Sequence, residues 1–411
     1  MTKIIKWLRK HYSKIISSIA FYPAIIAVSF LLISIIMLKI DFSEAGKSFK
    51  QQLSWLSLKD ASTARSILTT IAGGIISLTV FSFSMVMIIL NQAASQMSNR
   101  ILNSMIENRF QQIILGTYIG TIVYALFLLS TIRDISTGIY VPAISIYTLI
   151  LLTIVDIFLF IYFLDYVTQT VKFETVIKRI QTQTLKAMEQ QFCTDTPATF
   201  ELAQLFIKLP ADESGYFQGF DQPRLLDLLT AHQLEIVFLH AKGTYLIKGA
   251  ALAQVYGTTA IPEKLSKELY LCIDFYSGQP IERNPEYGFR QLSEVAIKAL
   301  SPGINDPATA VLSIHALTDL FAYRLNHCLP RLINDDQGKR RISQKIAEFD
   351  ALFEDCIFPI WQYGKDDRYI HQGLQQMLEQ LRCVPGRHQQ ADVFQALERR
   401  MQTGPKASGG T

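Results

Sequence analysis

The sequence predicts a membrane α-helical domain of four transmembrane helices followed by a cytosolic α+β domain. Three observations carry that expectation. Of the 411 residues, 49% are hydrophobic and only 18% are charged. Mean hydropathy is +0.22, greasier than an ordinary soluble protein. Charge also divides along the chain: residues 1–191 hold 17 Lys and Arg against 9 Asp and Glu, a net of +8, whereas the remaining 220 residues net −4. A hydrophobic, basic half joined to a mildly acidic half excludes a secreted disulfide scaffold, a disordered tail protein and a simple nucleic-acid binder.

The first span is the apolar run Ser18–Ile40, uncharged until Lys39. About 20 helical residues cross a hydrocarbon layer of roughly 30 Å, so the run suffices. Lys3, Lys6, Arg9, Lys10 and Lys14 precede it as in a secretory signal. The run is too long for a signal's apolar region and no small-x-small cleavage site follows, so it is expected to stay in the membrane. Ser66–Leu90, Ile113–Ile132 and Ile139–Leu164 supply the second, third and fourth spans, each apolar on all faces as lipid requires.

Lys and Arg bias sets the orientation. The N-terminal flank, the 91–112 loop and the segment after the fourth span total 11 Lys and Arg on one side. The opposite side has 6, diluted by Asp41, Glu44, Asp60 and Asp134. Both termini are therefore expected in the cytoplasm. The five cysteines (Cys193, Cys272, Cys328, Cys356, Cys383) all lie in the second half, without CxxC spacing, as reduced thiols of a cytosolic domain would.

Helical periodicity runs on past the fourth span through Val167, Val171, Val176, Ile177, Ile180, Leu185 and Met188. One continuous helix is expected over 166–192, as a stalk or as one element of an oligomeric bundle. Short β-rich runs follow at Glu235–His240, Tyr245–Ile247 and Leu252–Tyr256. From about Leu265 the pattern turns helical, with helices expected at Gly288–Leu300, Ala308–Leu325, Ile342–Ile360, Tyr369–Leu381 and 391–401. The organisation is then a transmembrane domain (1–165), a helical stalk (166–192), a β-rich module (193–264), a helical module (265–403) and a Gly/Ser/Pro-rich disordered tail (404–411).

Between two of those helices lies Ser301-Pro302-Gly303-Ile304-Asn305-Asp306-Pro307. Pro302 and Gly303 stop the first helix, while Asp306 suits the N-cap and Pro307 the N1 position of the second. The turn is either purely structural or a ligand site at which Arg290, Asn305 and Asp306 converge. Gly288-Phe289-Arg290-Gln291-Leu292 and the run Ala296 to Pro307 resemble the signature of a bacterial family of predicted membrane proteins, domain of unknown function twenty-two fifty-four. Ala94-Ser95-Gln96-Met97-Ser98-Asn99-Arg100 and Leu115-Gly116 resemble its other marked stretches, and the likeness covers nearly the whole chain. It implies an inner-membrane protein and no mechanism. Separately, Gly243 to Val255 is similar to the hairpin of lipoyl-type domains. That likeness implies a small β-barrel-like module, without the Met-Lys-Met turn that carries a lipoyl or biotinyl group.

Two features in the spans could carry function. Asp156 lies about 6 Å from the middle of the fourth span, where a charge costs roughly 3 kcal/mol. It is either a hydrogen-bonded clip between helices or a water- or ion-linked acid. Thr79 and Ser82 are its candidate partners, with another subunit or solvent as alternatives. In the second span, Gly73, Ser77, Ser84, Asn91, Ser95 and Ser98 include repeated seven-residue steps, which keeps them on one face. That stripe is a close helix interface or a pore wall. Met97, Ile101, Met105, Phe110 and Ile114 extend an amphipathic face over 92–112. No P-loop, GxGxxG, HExxH, GxSxG or metal-spaced Cys/His cluster occurs, so neither an enzyme, a cofactor nor a metal is expected. The leading expectation is a homo-oligomeric ion channel or permeation pathway in the lipid bilayer. The second spans line it, Asp156 tunes it, and the cytosolic domain gates or assembles it. The rival is a membrane-anchored sensor or scaffold whose cytosolic part, including the 288–326 helix pair, binds a small ligand or partner.

Overall fold

The computed structural model describes residues 20–44, 46, 48, 60–96, 109–135, 138–170, 172–194, 206–257, 262–276, 280–385 and 391–402. The basic N-terminal flank, most of the 92–112 segment and the 404–411 tail lie outside them. The chain divides into two compact units, with the boundary after the fourth span falling between Lys172 and Phe173.

The first unit holds four helices long and apolar enough to cross a membrane. They are α1 (Phe21–Phe42), α2 (Ala61–Gln96), α3 (Arg109–Thr131) and α4 (Ala143–Thr170). With 36 residues, α2 is about 54 Å long and outruns the hydrocarbon layer. It starts before the expected Ser66 because Asp60 caps it, accepting from the backbone N–H groups of Ser62 (3.2 Å) and Thr63 (2.8 Å). A short antiparallel pair, β1 (Arg133–Ile135) and β2 (Gly138–Tyr140), joins α3 to α4.

Glycines fix the contact of α1 with α3. A Cβ on Gly116 would lie 2.7 Å from Ile26 Cδ1, and one on Gly120 would lie 2.6 Å from the Phe30 ring. The two glycines are about one turn apart, so the α3 backbone meets α1 along a ridge that larger residues would hold off. At the other end of the bundle, Asp41 in the last turn of α1 is fully buried. It accepts from Ile144 N (3.2 Å), Ser145 N (2.7 Å) and Ser145 Oγ (2.6 Å). It thus caps α4 from another helix, supplying an anion where the helix dipole is positive. The Tyr124 hydroxyl of α3 donates to the Ser145 carbonyl (3.2 Å), so three spans meet at one residue.

The second unit begins with α5 (Phe173–Gln191). The single helix expected over 166–192 is therefore two. The physical reason is a change of packing partner: the α5 face of Val176, Ile177, Ile180, Thr184, Ala187 and Met188 is buried within a helical core. There α5 packs on α8 (Glu286–Ala299) and α9 (Pro307–Arg324), and is no free stalk. A Cβ on Gly288 of α8 would fall inside the Thr184 side chain. Helices α10 (Phe349–Gly364), α11 (Arg368–Cys383) and α12 (Ala391–Gln402) complete this part. Phe289, Phe321, Phe349, Phe353 and Phe394 stack through it at 4.8–6.1 Å between ring centroids.

Between α5 and α8 lie β3 (Cys193–Thr194), β4 (Phe206–Pro210), β5 (Gly215–Phe220), α6 (Gln222–Ala231), β6 (Glu235–Phe238), β7 (Tyr245–Leu246), β8 (Ala251–Tyr256), α7 (Glu263–Cys272) and β9 (Ile273–Tyr276). Three more strands follow α9: β10 (His327–Cys328), β11 (Leu332–Asn334) and β12 (Arg340–Ser343). A five-stranded sheet runs β11-β12-β6-β8-β4 and a three-stranded sheet runs β7-β5-β9, while β10 pairs with β3. Only β12 with β6 is parallel in the larger sheet. Among the described residues no closed barrel forms. The Gly243–Val255 stretch makes no hairpin, because β7 pairs with β5 whereas β8 pairs with β4 and β6. The larger sheet also draws β11 and β12 from beyond 265, across the expected module boundary. The helix expected from Ile342 starts at Phe349 instead, since Ile342 pairs with Ile236 in the sheet. A buried ion pair between Arg341 and Asp335 (2.8 Å) closes the β11–β12 connection, where Asp335 Oδ1 also accepts from Gln337 N and Lys339 N.

Replacing Asp41 with Ala strands two backbone donors and a hydroxyl in a buried site. The variant is expected to lose about 3 kcal/mol of stability, read as an earlier thermal unfolding transition in detergent. An unchanged transition would show that the cap does not hold α1 to α4.

Candidate functional site

Asp156 sits close to the midpoint of the Ala143–Gln169 apolar window of α4 and is fully buried. Facing it from α3 are Thr121 and Tyr118, three residues apart and hence on one side of that helix. Thr121 presents its hydroxyl to the carboxyl, and Tyr118 lies within electrostatic reach of it. Ser82 of α2 stands beside the Tyr118 hydroxyl. All four side chains have no solvent-accessible surface. Although neighbours, they fall short of hydrogen-bond geometry: Asp156 Oδ1 and Oδ2, Thr121 Oγ1, Tyr118 Oη and Ser82 Oγ are all without a hydrogen-bond partner. Among the described residues, no Lys, Arg or His lies near the middle of any span.

Of the two partners expected for Asp156, Ser82 belongs to the cluster. Thr79 instead donates to the Ile75 carbonyl of its own helix (2.7 Å). Tyr118 and Thr121 escaped the sequence reading. Their three-residue spacing was the available signal, but hydroxyls in a span are commonly satisfied by their own helix, so spacing alone does not distinguish them.

The α2 stripe lies elsewhere. Gly73, Ser77, Ser84 and Asn91 are exposed, and the Ser95 side chain is outside the described residues. No atom comes within 4 Å of where a Cβ on Gly73 or Gly74 would stand. At 100° per residue, this face is roughly opposite the buried face of Ala64, Leu68, Ala72, Ile75 and Ser82. Among the described residues, the stripe therefore makes no helix contact inside the first unit. Asp156, grouped with Ser82, is on the other side of α2, so the structure does not bring stripe and acid together.

In the second unit, Asp306 is the N-cap of α9, accepting from Thr309 N (3.1 Å) and Thr309 Oγ1 (2.6 Å). Asn305 adopts a left-handed φ of 47°, as asparagine does more readily than most residues. Arg290 lies about 15 Å up α8 from the end of that helix and pairs at 3.9 Å with exposed Asp355 of α10. The three residues do not converge, and the turn's geometry is that of a helix connection.

Glu286, in the first turn of α8, is a deeply buried carboxyl, 4% exposed. Burial raises its carboxyl above the ordinary carboxylate value, while the charges of Arg324, Arg290 and Lys242 pull it back. Burial likewise lowers Lys242, with Glu286 opposing. Arg324 is held in place by donating to the His327 (3.0 Å) and Ala347 (2.7 Å) carbonyls. A group with a raised folded value keeps its proton longer in the fold than in the open chain, so the fold loses stability as pH climbs past about 4.5. The Glu286→Gln variant is expected to lack this loss, its advantage over the wild type growing from that pH upward in thermal melts across a pH series. Parallel curves would mean that the neighbouring cations offset the burial in full.

No solved structure matches the chain. It is 23% identical over 331 residues to the uncharacterized proteins Mb1321c of Mycobacterium bovis and Rv1290c of Mycobacterium tuberculosis. Those alignments cover 77% of this chain and 63% of each relative, so the chain spans less than two thirds of their length. A family model described as "Predicted membrane protein (DUF2254)" matches residues 16–380. That range takes in all four spans and the second unit as far as α11, and on this basis the chain belongs to the DUF2254 family of predicted membrane proteins.

Proposed function

We propose that this membrane protein is a homo-oligomeric ion channel or permeation pathway of the cell inner membrane. Both termini are in the cytoplasm, and the second unit, also cytosolic, controls opening. The observation that supports the reading is the outward face of α2. Gly73, Gly74, Ser77 and Ser84 are turned away from the described helices of their own unit and share that face with Val80 and Ile88, while Ile76 and Phe83 flank it. The Gly and Ser of this face gain little from lipid. They suit close approach of a second helix at Gly73 and Gly74, and a wettable wall at Ser77, Ser84 and Asn91. Four spans enclose little space, so the pathway would run along a symmetry axis between copies. Asp156, buried within each copy, would act behind that wall rather than on it. The second reading, a membrane-anchored sensor or scaffold, draws on the separate core of the second unit.

In liposomes carrying the purified protein, Ser84→Trp is expected to reduce ion conductance at least tenfold, while Phe83→Trp, about 100° round the helix from Ser84, leaves it nearly unchanged. Equal effects, or no conductance in the wild type over a broad range of ions and voltages, would favour the sensor reading.

A further inference from the structure

The cluster around Asp156 has a composition that a structural clip does not need. A clip closes its hydrogen bonds, as Asp41 does with three donors from α4. Asp156 has the Thr121 hydroxyl beside it and Tyr118 within electrostatic reach, with Ser82 next to Tyr118, and both carboxyl oxygens and all three hydroxyl oxygens remain without partners. Every one of these five atoms is oxygen, the ligand set that hard cations select. The group carries a single negative charge. A monovalent cation would bring it to neutrality in surroundings where net charge is expensive, whereas a divalent ion would leave one positive charge uncompensated.

We propose that Asp156, Thr121, Ser82 and Tyr118 form an intramembrane site for a sodium ion, which competes with a proton for the Asp156 carboxyl. When the ion enters, the carboxylic acid releases its proton to solvent and the carboxylate takes the ion, so the charge of the site stays the same. Thr121 and Ser82 contribute hydroxyl oxygens, which they can do while still donating a hydrogen bond. The proposal does not rest on the permeation reading, since the cluster is on the opposite side of α2 from the stripe.

The test is equilibrium binding of radioactive sodium to the full-length protein in detergent, with choline chloride holding the ionic strength constant. The expected result is saturable binding of one ion per chain that weakens as pH falls and disappears in Asp156→Asn. Thr121→Val, which keeps the shape and the carboxylate, should weaken binding about tenfold, the equivalent of 1.4 kcal/mol. Absence of saturable binding, or binding indifferent to both substitutions, overturns the proposal. Because Asp156→Asn could disturb folding, a second measurement follows modification of the wild-type Asp156 by dicyclohexylcarbodiimide, which attacks the protonated acid. Sodium should slow that reaction and choline should not. Modification at a rate that sodium does not change would show that the acid holds a proton alone, and would also overturn the proposal. Both measurements read the site without any flux, so intact sodium binding with no conductance would remove the permeation reading only.

Discussion

Hydrocarbon offers no hydrogen bonds, so every polar group carried into the first unit must be satisfied by the chain itself or be held at a cost. Two aspartates there are equally buried and meet this constraint in opposite ways. Asp41 ends α1 where the first backbone N–H groups of α4 are exposed, and the two needs cancel: the helix start gains an acceptor and the carboxylate gains three donors. With Gly116 and Gly120 setting the distance between α1 and α3, that cap fixes the spans against one another. Asp156 is then held in a rigid bundle among hydroxyls that do not complete its bonding.

The long α2 helix has two faces with different tasks. Ala64, Leu68, Ala72, Ile75 and Ser82 pack inward, while Gly73 and Gly74, roughly half a turn away, have open space where a Cβ would stand, and Ser77 and Ser84 are exposed among the described residues. Small residues on an inward face allow close packing. The same helix thereby places Ser82 beside Tyr118 on one side and leaves a row of small residues on the other.

In the second unit several aspartates have close partners. Asp221, Asp306 and Asp367 each cap the helix that follows, and Asp335 pairs with Arg341 inside the sheet. Glu286 differs, since its counter-charges come from Arg324, Arg290 and Lys242 without a close ion pair, and burial prevails in setting its proton affinity. The Ser301–Pro307 run, prominent in the sequence, is accounted for by Asp306 capping α9 and Asn305 turning the chain. A strongly patterned turn can owe its pattern to backbone geometry alone.

Local pattern along the chain is enough to place the four spans, the helices α8, α9, α11 and α12, and the N-cap at Asp306. Each of these depends on hydrophobic period or on groups a few residues apart. It also singled out Asp156, because one charge in an apolar run needs no partner to be visible. Tertiary structure alone decided which hydroxyls surround that acid, since Tyr118 and Thr121 differ from other span hydroxyls only in what faces them. It decided that the α2 stripe points away from the unit, a matter of which side of α2 its neighbours occupy. It also decided that β12 leaves a helical stretch to join β6, and that the stretch likened to a barrel hairpin divides between two sheets. Pairing and facing are properties of chain segments brought together from far apart, and local spacing carries no record of them.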